Sequence, residues 1–239
     1  MLYRLVVKQD SNGQIVLTPE QQHYLKKVLR MGSGDRFIAL DGRGKSWIAR
    51  IKGTSAEIVE PLNLSTELPI TATLVIALPK GNAFDEVVRC TTELGVTTIV
   101  PVISDRTIIK PSPHKLERWR RIATEAAEQS ERQIVPNITE PVKFVTALAD
   151  LVNLETDCYI CVARSDGKSL FDCLQNKQAR NTVIATGPEG GFSPKEIETA
   201  KAAGFQAVSL GRRILRAVTA PIAALSLLAA IAQTNNQNS

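Results

Sequence analysis

Two short segments late in the chain carry residue types able to build a ligand pocket: Thr186-Gly187-Pro188-Glu189-Gly190-Gly191-Phe192 and Ser209-Leu210-Gly211-Arg212-Arg213-Ile214-Leu215-Arg216. Each follows a run with the character of a buried strand, Thr182-Val183-Ile184-Ala185 and Gln206-Ala207-Val208, and each leads toward a helix. Glycines at the carboxyl end of a strand let backbone approach a ligand closely, because no Cβ stands in the way. In open α/β sheets that crevice is where ligands bind. Two such loops together suit a flat heterocycle and its sugar.

Other chemistry-bearing patterns fail on context. Ala39-Leu40-Asp41-Gly42-Arg43-Gly44-Lys45-Ser46 fits a relaxed phosphate-loop pattern, but such a loop must open a helix. Here it runs into the alternating strand Trp47–Ile51, so it is expected to be a hairpin tip carrying Arg43 and Lys45. Gly187, Gly190 and Gly191 do not have the spacing of a dinucleotide fingerprint. Cys158 and Cys161 are three apart on a strand-like run and point to opposite faces, so the cysteines are expected to be apolar core residues, with no metal. Phe192 is expected in the core. His23 reads as either an RNA contact or a helix-face residue, and His114 as solvated.

The elements that position these segments divide in two. Apolar runs at Leu2–Val7, Ile15–Leu17, Phe37–Leu40, Trp47–Ile51 and Ile58–Leu62 predict a small β-barrel over residues 1–68. One helix interrupts it, capped by Thr18 with Pro19 and Gln21, bearing Lys26, Lys27 and Arg30 and stopping at Gly32. A polar connector, Asn63–Ile70, leads to a second domain, 69–239, whose strands and helices alternate as in an α/β fold. Strands are expected at Thr73–Ala77, Ile99–Ile103, Tyr159–Ala163 and Val183–Thr186. Helices are expected from Asn82 to Leu94, from Ser112-Pro113 to about Arg132, from Ser193 to Gly204 and from Thr219 to Ala232, with a disordered tail over 234–239.

Composition narrows the class. Apolar residues make up 44% of the 239, enough for a packed core, and a net charge of +5 permits a polyanionic partner. No run of about 18 uninterrupted apolar residues is present. Arg216, Thr219, Pro221 and Ser226 interrupt Leu215–Ala232, the nearest approach. Arg4, Lys8 and Asp10 break the N-terminal stretch, so a signal peptide is not expected and a cytoplasmic location is. Arg4, Lys26, Lys27, Arg30, Arg43 and Lys45 could form an RNA face, since phosphate contacts position a substrate without reading its sequence.

In order along the chain stand Leu78-Pro79-Lys80-Gly81, Glu93-Leu94-Gly95-Val96, Arg118-Trp119 through Ala126-Ala127-Glu128-Gln129-Ser130, Pro136 and the two glycine loops. Together they resemble the SPOUT methyltransferases, and more narrowly the RsmE family, up to about Gln233. The resemblance implies a PUA-like RNA-binding barrel followed by a parallel-sheet domain with a C-terminal trefoil knot, a topology that general chain rules disfavour. It implies an S-adenosylmethionine-dependent enzyme methylating N3 of one uridine in 16S rRNA of the small ribosomal subunit. It also implies a homodimer with the cofactor pocket near the subunit interface.

On this resemblance, Thr186, Gly187, Glu189, Gly190 and Gly191 shape the cofactor floor, although Glu189 could equally accept backbone hydrogen bonds and fix the loop. Leu210, Gly211, Ile214 and Leu215 enclose the adenine, and Val162, Ala163 and Arg164 form a third edge. Uridine N3 carries a proton and a delocalised lone pair, so it attacks well only as the anion. A guanidinium stabilises that anion, and a carboxylate could take the proton. Arg216 is placed for the first task, with Arg212 and Arg213 as alternates and phosphate contact as the rival role. Many relatives have Thr-Glu where this chain has Ala217-Val218, which leaves Glu93, Glu128 or bulk water to receive the proton. A ribose 2′-oxygen or another base as target, or a non-catalytic RNA-binding role, are the alternatives.

Overall fold

The computed structural model describes residues 2–9, 14–64, 66–108, 112–151, 155–164, 167–175 and 180–237. Ser65 of the connector and residues 238–239 of the tail lie outside them. The chain divides into two compact units, residues 1–67 with 127–135, and residues 68–126 with 136–239. Residues 127–135, assigned by sequence to the second domain, group with the first unit.

The first unit holds β1 (Arg4–Val6), β2 (Lys8–Gln9), β3 (Ile15–Val16), α1 (Pro19–His23), β4 (Arg36–Leu40), β5 (Ser46–Lys52) and β6 (Ser55–Pro61). Its sheet order is β1-β4-β5-β6-β3-β2. The strands at the two ends of that order, β1 and β2, are separated in the chain by Val7 alone. The sheet must therefore curl until its edges meet, which makes a small barrel. Leu5, Val7, Ile15, Phe37 and Ile51 fill it, as their alternation with polar neighbours requires.

Thr18 caps α1 in a reciprocal capping box with Gln21, and Pro19 takes the first turn. The helix does not continue regularly to Gly32. It widens into a π-helical turn, Tyr24–Val28, where the Leu29 amide reaches the Tyr24 carbonyl at 3.0 Å, and Arg30 then turns out with φ 56°. Leu25 faces the barrel core, with Leu29 and Met31 packed against it.

The β4–β5 connection is a hairpin tip. Asp41 Oδ1 accepts the Arg43 and Lys45 amides at 2.8 and 2.9 Å, and the Gly44 amide donates to Gln133 O at 3.2 Å. The amides that a phosphate loop would offer are thus already used.

Glu67 draws 127–135 into the same unit. Its Oε2 accepts from Arg132 Nε and Nη2 at 3.0 and 2.7 Å, and its Oε1 from the Gln133 and Ile134 amides, both at 3.0 Å. Arg132 is 3% exposed, so this pair is held by multiple hydrogen bonds out of water.

The second unit holds β7 (Thr71–Ala77), α2 (Ala83–Glu93), β8 (Thr98–Ile103), α3 (Pro113–Gln129, its last three residues in the first unit), β9 (Asn137–Ile138), β10 (Val142–Lys143), α4 (Phe144–Leu151), β11 (Thr156–Cys161), α5 (Leu170–Gln175), β12 (Asn181–Thr186), α6 (Pro194–Ala202), β13 (Gln206–Val208) and α7 (Thr219–Gln237). The order is β10-β8-β7-β12-β11-β13, with β9 also beside β8, and every pairing is parallel.

Parallel sheets need cover on both faces, which is why these strands read as unbroken apolar runs. Val75, Val102, Ile160 and Val183 pack with residues of α4 and α6, joined by Phe192, whose ring stacks on Phe144 at 4.4 Å. Phe192 is therefore core. The helix α7 packs against α2, α5, β12 and β7. Among the described residues no helix is long and apolar enough to cross a membrane.

Two helix ends differ from expectation. The helix α3 stops at Gln129 rather than near Arg132, with Glu131 at φ 64°. The helix α7 runs past Ala232 to Gln237, so residues 234–237 are helical rather than a disordered tail. Thr234 contributes by donating its hydroxyl back to the Ala230 carbonyl at 2.9 Å.

Glu67→Ala would take the carboxylate away from the Arg132 guanidinium and from the Gln133 and Ile134 amides. It is expected to destabilise the first unit by about 3 kcal/mol, read as a lower urea midpoint.

Candidate functional site

Because β12, β11 and β13 are parallel neighbours, their carboxyl ends lie along one edge of the sheet. Ala185 is level with Ile160, and Cys161 with Val208. The loops after these strands emerge side by side and enclose a pocket of about 610 Å³, part of it open to solvent. Of the residues expected at the cofactor, Val162, Ala163, Thr186, Gly187, Glu189, Gly191, Leu210, Gly211, Ile214 and Leu215 line it. Arg164 and Gly190 do not. Arg164, three residues past β11, is exposed with φ 57°, and Gly190 lies on the outer side of its loop against Arg106.

Three glycines in the first loop have three different causes. A Cβ on Gly187 would sit 3.0 Å from the Phe192 amide nitrogen and 3.1 Å from Gly191 backbone atoms, so the loop folds onto itself only without one. Gly191 has φ +68° and closes a turn by donating its amide to Pro188 O at 2.8 Å. At Gly190 a Cβ would meet only the side chain of Arg106, 3.2 Å away.

Glu189 lines the pocket and also reaches back to the loop after β7. Its Oε1 accepts the Lys80 amide at 2.9 Å, tying the Leu78–Gly81 segment after β7 to the glycine loop. Of its two expected roles, fixing the loop is the one with a partner. On the other side, Ser209 Oγ accepts the Gly211 amide at 3.1 Å, and Gly211 has φ +107°. The Ser209 carbonyl accepts the Leu170 amide at 2.9 Å.

The floor contains two groups with chemical consequences. Thr186 is fully buried, and its hydroxyl has no hydrogen-bond partner among the described residues. A polar atom left so costs about 1–3 kcal/mol, and the pocket it borders is where a ligand can supply the missing partner. Cys161 also lines the pocket, although the sequence marks it only as core. Burial pushes its thiol up to about 12, so at neutral pH it is a neutral, weakly polar wall and not a nucleophile.

The glycine loop is braced by a segment that carries no sequence signal, Ser104–Thr107 after β8. Ser193 caps α6 in a capping box with Glu196, itself 3% exposed. Glu196 Oε1 accepts the Asp105 amide at 2.9 Å, Oε2 accepts the Ser193 amide at 2.7 Å, and Ser193 Oγ donates to Asp105 Oδ2 at 2.6 Å. Arg106 Nη1 donates to Gly190 O at 2.5 Å.

Arg212, Arg213 and Arg216 are all exposed, and of the three Arg213 lines the pocket. Arg216 lies between the lining residues Leu215 and Ala217, and its carbonyl accepts the Ala220 amide at the start of α7. Glu93 ends α2, which runs from the carboxyl end of β7 back to the amino end of β8, so it lies at the opposite edge of the sheet. Glu128 belongs to the first unit and accepts the Val6 amide at 2.6 Å. In that unit Lys26, Lys27, Arg30, Arg43 and Lys45 are exposed, whereas Arg4 is drawn into a 2.6 Å ion pair with Glu131.

An adenosyl group fits these features. The glycine loops offer backbone edges to its ring and ribose, Leu210, Ile214 and Leu215 offer apolar cover, and Thr186 offers a hydroxyl in want of a partner.

Comparison with known proteins bears on the same regions. Residues 66–229 match the family model of an RNA methyltransferase domain, and residues 17–60 that of an RNA methyltransferase PUA domain. Ribosomal RNA small subunit methyltransferase E of Synechocystis is 46% identical over 98% of this chain and 79% of its own. The protein of that name from Bacillus subtilis is 30% identical over 89% of this chain and 88% of its own. The solved Neisseria gonorrhoeae ribosomal RNA small subunit methyltransferase E bound to S-adenosyl methionine superposes with a TM-score of 0.82 at 33% identity. It covers 99% of this chain and 98% of its own.

Thr186→Val keeps the shape and removes the orphan hydroxyl. The unliganded protein is expected to melt higher, by about 1 kcal/mol of added stability, while its affinity for S-adenosylmethionine falls. Calorimetry and a binding titration read the two effects separately.

Proposed function

Because this chain belongs to the ribosomal RNA small subunit methyltransferase E (RsmE) family of RNA methyltransferases, we propose that it transfers the methyl group of S-adenosylmethionine to N3 of one uridine in 16S rRNA. The observation that carries this reading is the pocket at the ends of β11, β12 and β13, with its glycine-backed walls and unpartnered Thr186 hydroxyl. The cofactor supplies a methyl group made electrophilic by its sulfonium. Everything else falls to the chain.

Gly187, Gly191 and Gly211 let backbone close on the adenosine, and Leu210, Ile214 and Leu215 keep water from its ring. The uridine must meet the methyl as an anion. Arg216, exposed at the pocket rim, is assigned the stabilisation of that charge, with Arg213 in the wall adding to the same field. No acidic residue replaces the Glu that many relatives carry after Ala217, so the proton is assigned to bulk water through the open side of the pocket.

The barrel is assigned the holding of rRNA, through phosphate contacts from Lys26, Lys27, Arg30, Arg43 and Lys45. The order β12-β11-β13, in which the chain leaves β12 and returns beyond β11, supports the trefoil knot that the family resemblance implies. A homodimer and a cytoplasmic location complete the reading. Leu225 and Leu228 of α7 are buried within the second unit.

The test is methyl transfer from labelled S-adenosylmethionine to unmodified small ribosomal subunits, with nucleosides identified by mass spectrometry. 3-Methyluridine at one site is expected. A different methylated nucleoside would overturn the chemistry and keep the cofactor site, while bound cofactor with no transfer would point to a binding role. Arg216→Ala is expected to lower kcat about a hundredfold and leave cofactor affinity within about twofold; parallel losses would make Arg216 a binding residue.

A further inference from the structure

We infer that Arg106 is the positioning residue of the cofactor loop, and that residue 190 is glycine because the Arg106 side chain lies across it. The inference rests on the reading that the 187–191 loop holds S-adenosylmethionine. Gly190 is not a glycine for conformational reasons, since its φ lies outside the left-handed region that Gly191 occupies. Nor is it crowded by backbone, as Gly187 is. What a Cβ there would meet is Arg106 alone, with Cδ at 3.2 Å, Cβ at 3.5 Å and Cγ at 3.9 Å.

The aliphatic stem of Arg106 thus packs on the Cα of Gly190, and its Nη1 donates to the Gly190 carbonyl at 2.5 Å. One side chain grips one peptide unit by both its face and its oxygen. That peptide is the outer half of the turn Pro188–Gly191, whose inner residues line the pocket. Arg106 touches no lining atom by hydrogen bond and acts through Gly190.

The grip is aimed by its own surroundings. The Thr107 amide donates to Ser104 O at 3.0 Å, and the Ser104 amide donates to Thr107 Oγ1 at 3.1 Å, closing the turn that presents Arg106. Asp105, next to it, is held by Ser193 and Glu196 at the start of α6. A preorganised donor of this kind fixes the loop before ligand arrives, which lowers the ordering cost of binding.

Titration calorimetry with S-adenosylmethionine on the full chain tests this through Arg106→Ala, Gly190→Ala and the double variant. Each single change is expected to weaken binding roughly tenfold, and the double variant is expected to bind no worse than Arg106→Ala alone. Unchanged affinity in Arg106→Ala, or losses that multiply in the double variant, would overturn the inference. Should Arg106→Ala lower the melting temperature, Arg106→Met keeps the stem and removes only the bond to the carbonyl. Weaker binding by Arg106→Met at an unchanged melting temperature supports positioning, and unchanged binding sinks it. Failure of the unsubstituted chain to bind would instead remove the functional reading, and this inference with it.

Discussion

The ligand edge of the second unit depends on one buried carboxylate. Glu196 is almost wholly out of water, yet both of its oxygens accept backbone amides, one from its own helix start at Ser193 and one from Asp105. A carboxylate is stable in such a place only if its lone pairs are met. Meeting them forces the loop after β8 against the loop after β12. Once those two are joined, Arg106 falls on Gly190, and the Pro188–Gly191 turn has its outer support. Glu189 then extends the join to the loop after β7 through the Lys80 amide. Three strand ends are thereby locked on one side of the pocket, leaving the loops after β11 and β13 to form the other.

Much of this was legible in the sequence because it is local. Thr18 and Ser193, each followed by a Pro and a reciprocating Gln or Glu, mark their helix starts by chemistry that spans only three residues. The strands of the parallel sheet were legible for a related reason: cover on both faces writes itself as an unbroken apolar run. The two glycine loops stood out because backbone pockets need a residue without a Cβ. The decoy at Asp41–Ser46 could be dismissed because it runs into the alternating strand β5 and not into a helix.

The features that escape sequence reasoning depend on partners far along the chain. Asp105 and Arg106 look like ordinary loop residues until β8 is placed near β12. Cys161 reads as core because alternation identifies a face without saying whether that face ends in a cavity. The widening of α1 into a π turn leaves no periodic mark, since one additional residue in a turn lies within the noise of an amphipathic pattern. Resemblance supplied the cofactor and the target, and neither composition nor spacing could have done so.

The return of residues 127–135 to the first unit has a consequence for synthesis. Glu67 finds Arg132 only 65 residues later. A nascent barrel emerging from the ribosome therefore holds a carboxylate whose partners have not yet been made. By the time they arrive, β7, α2 and β8 are already out and can begin their own pairing. The order of residues in the gene is not the order in which the units can be finished. The first unit to start is not complete until translation has passed well into the second.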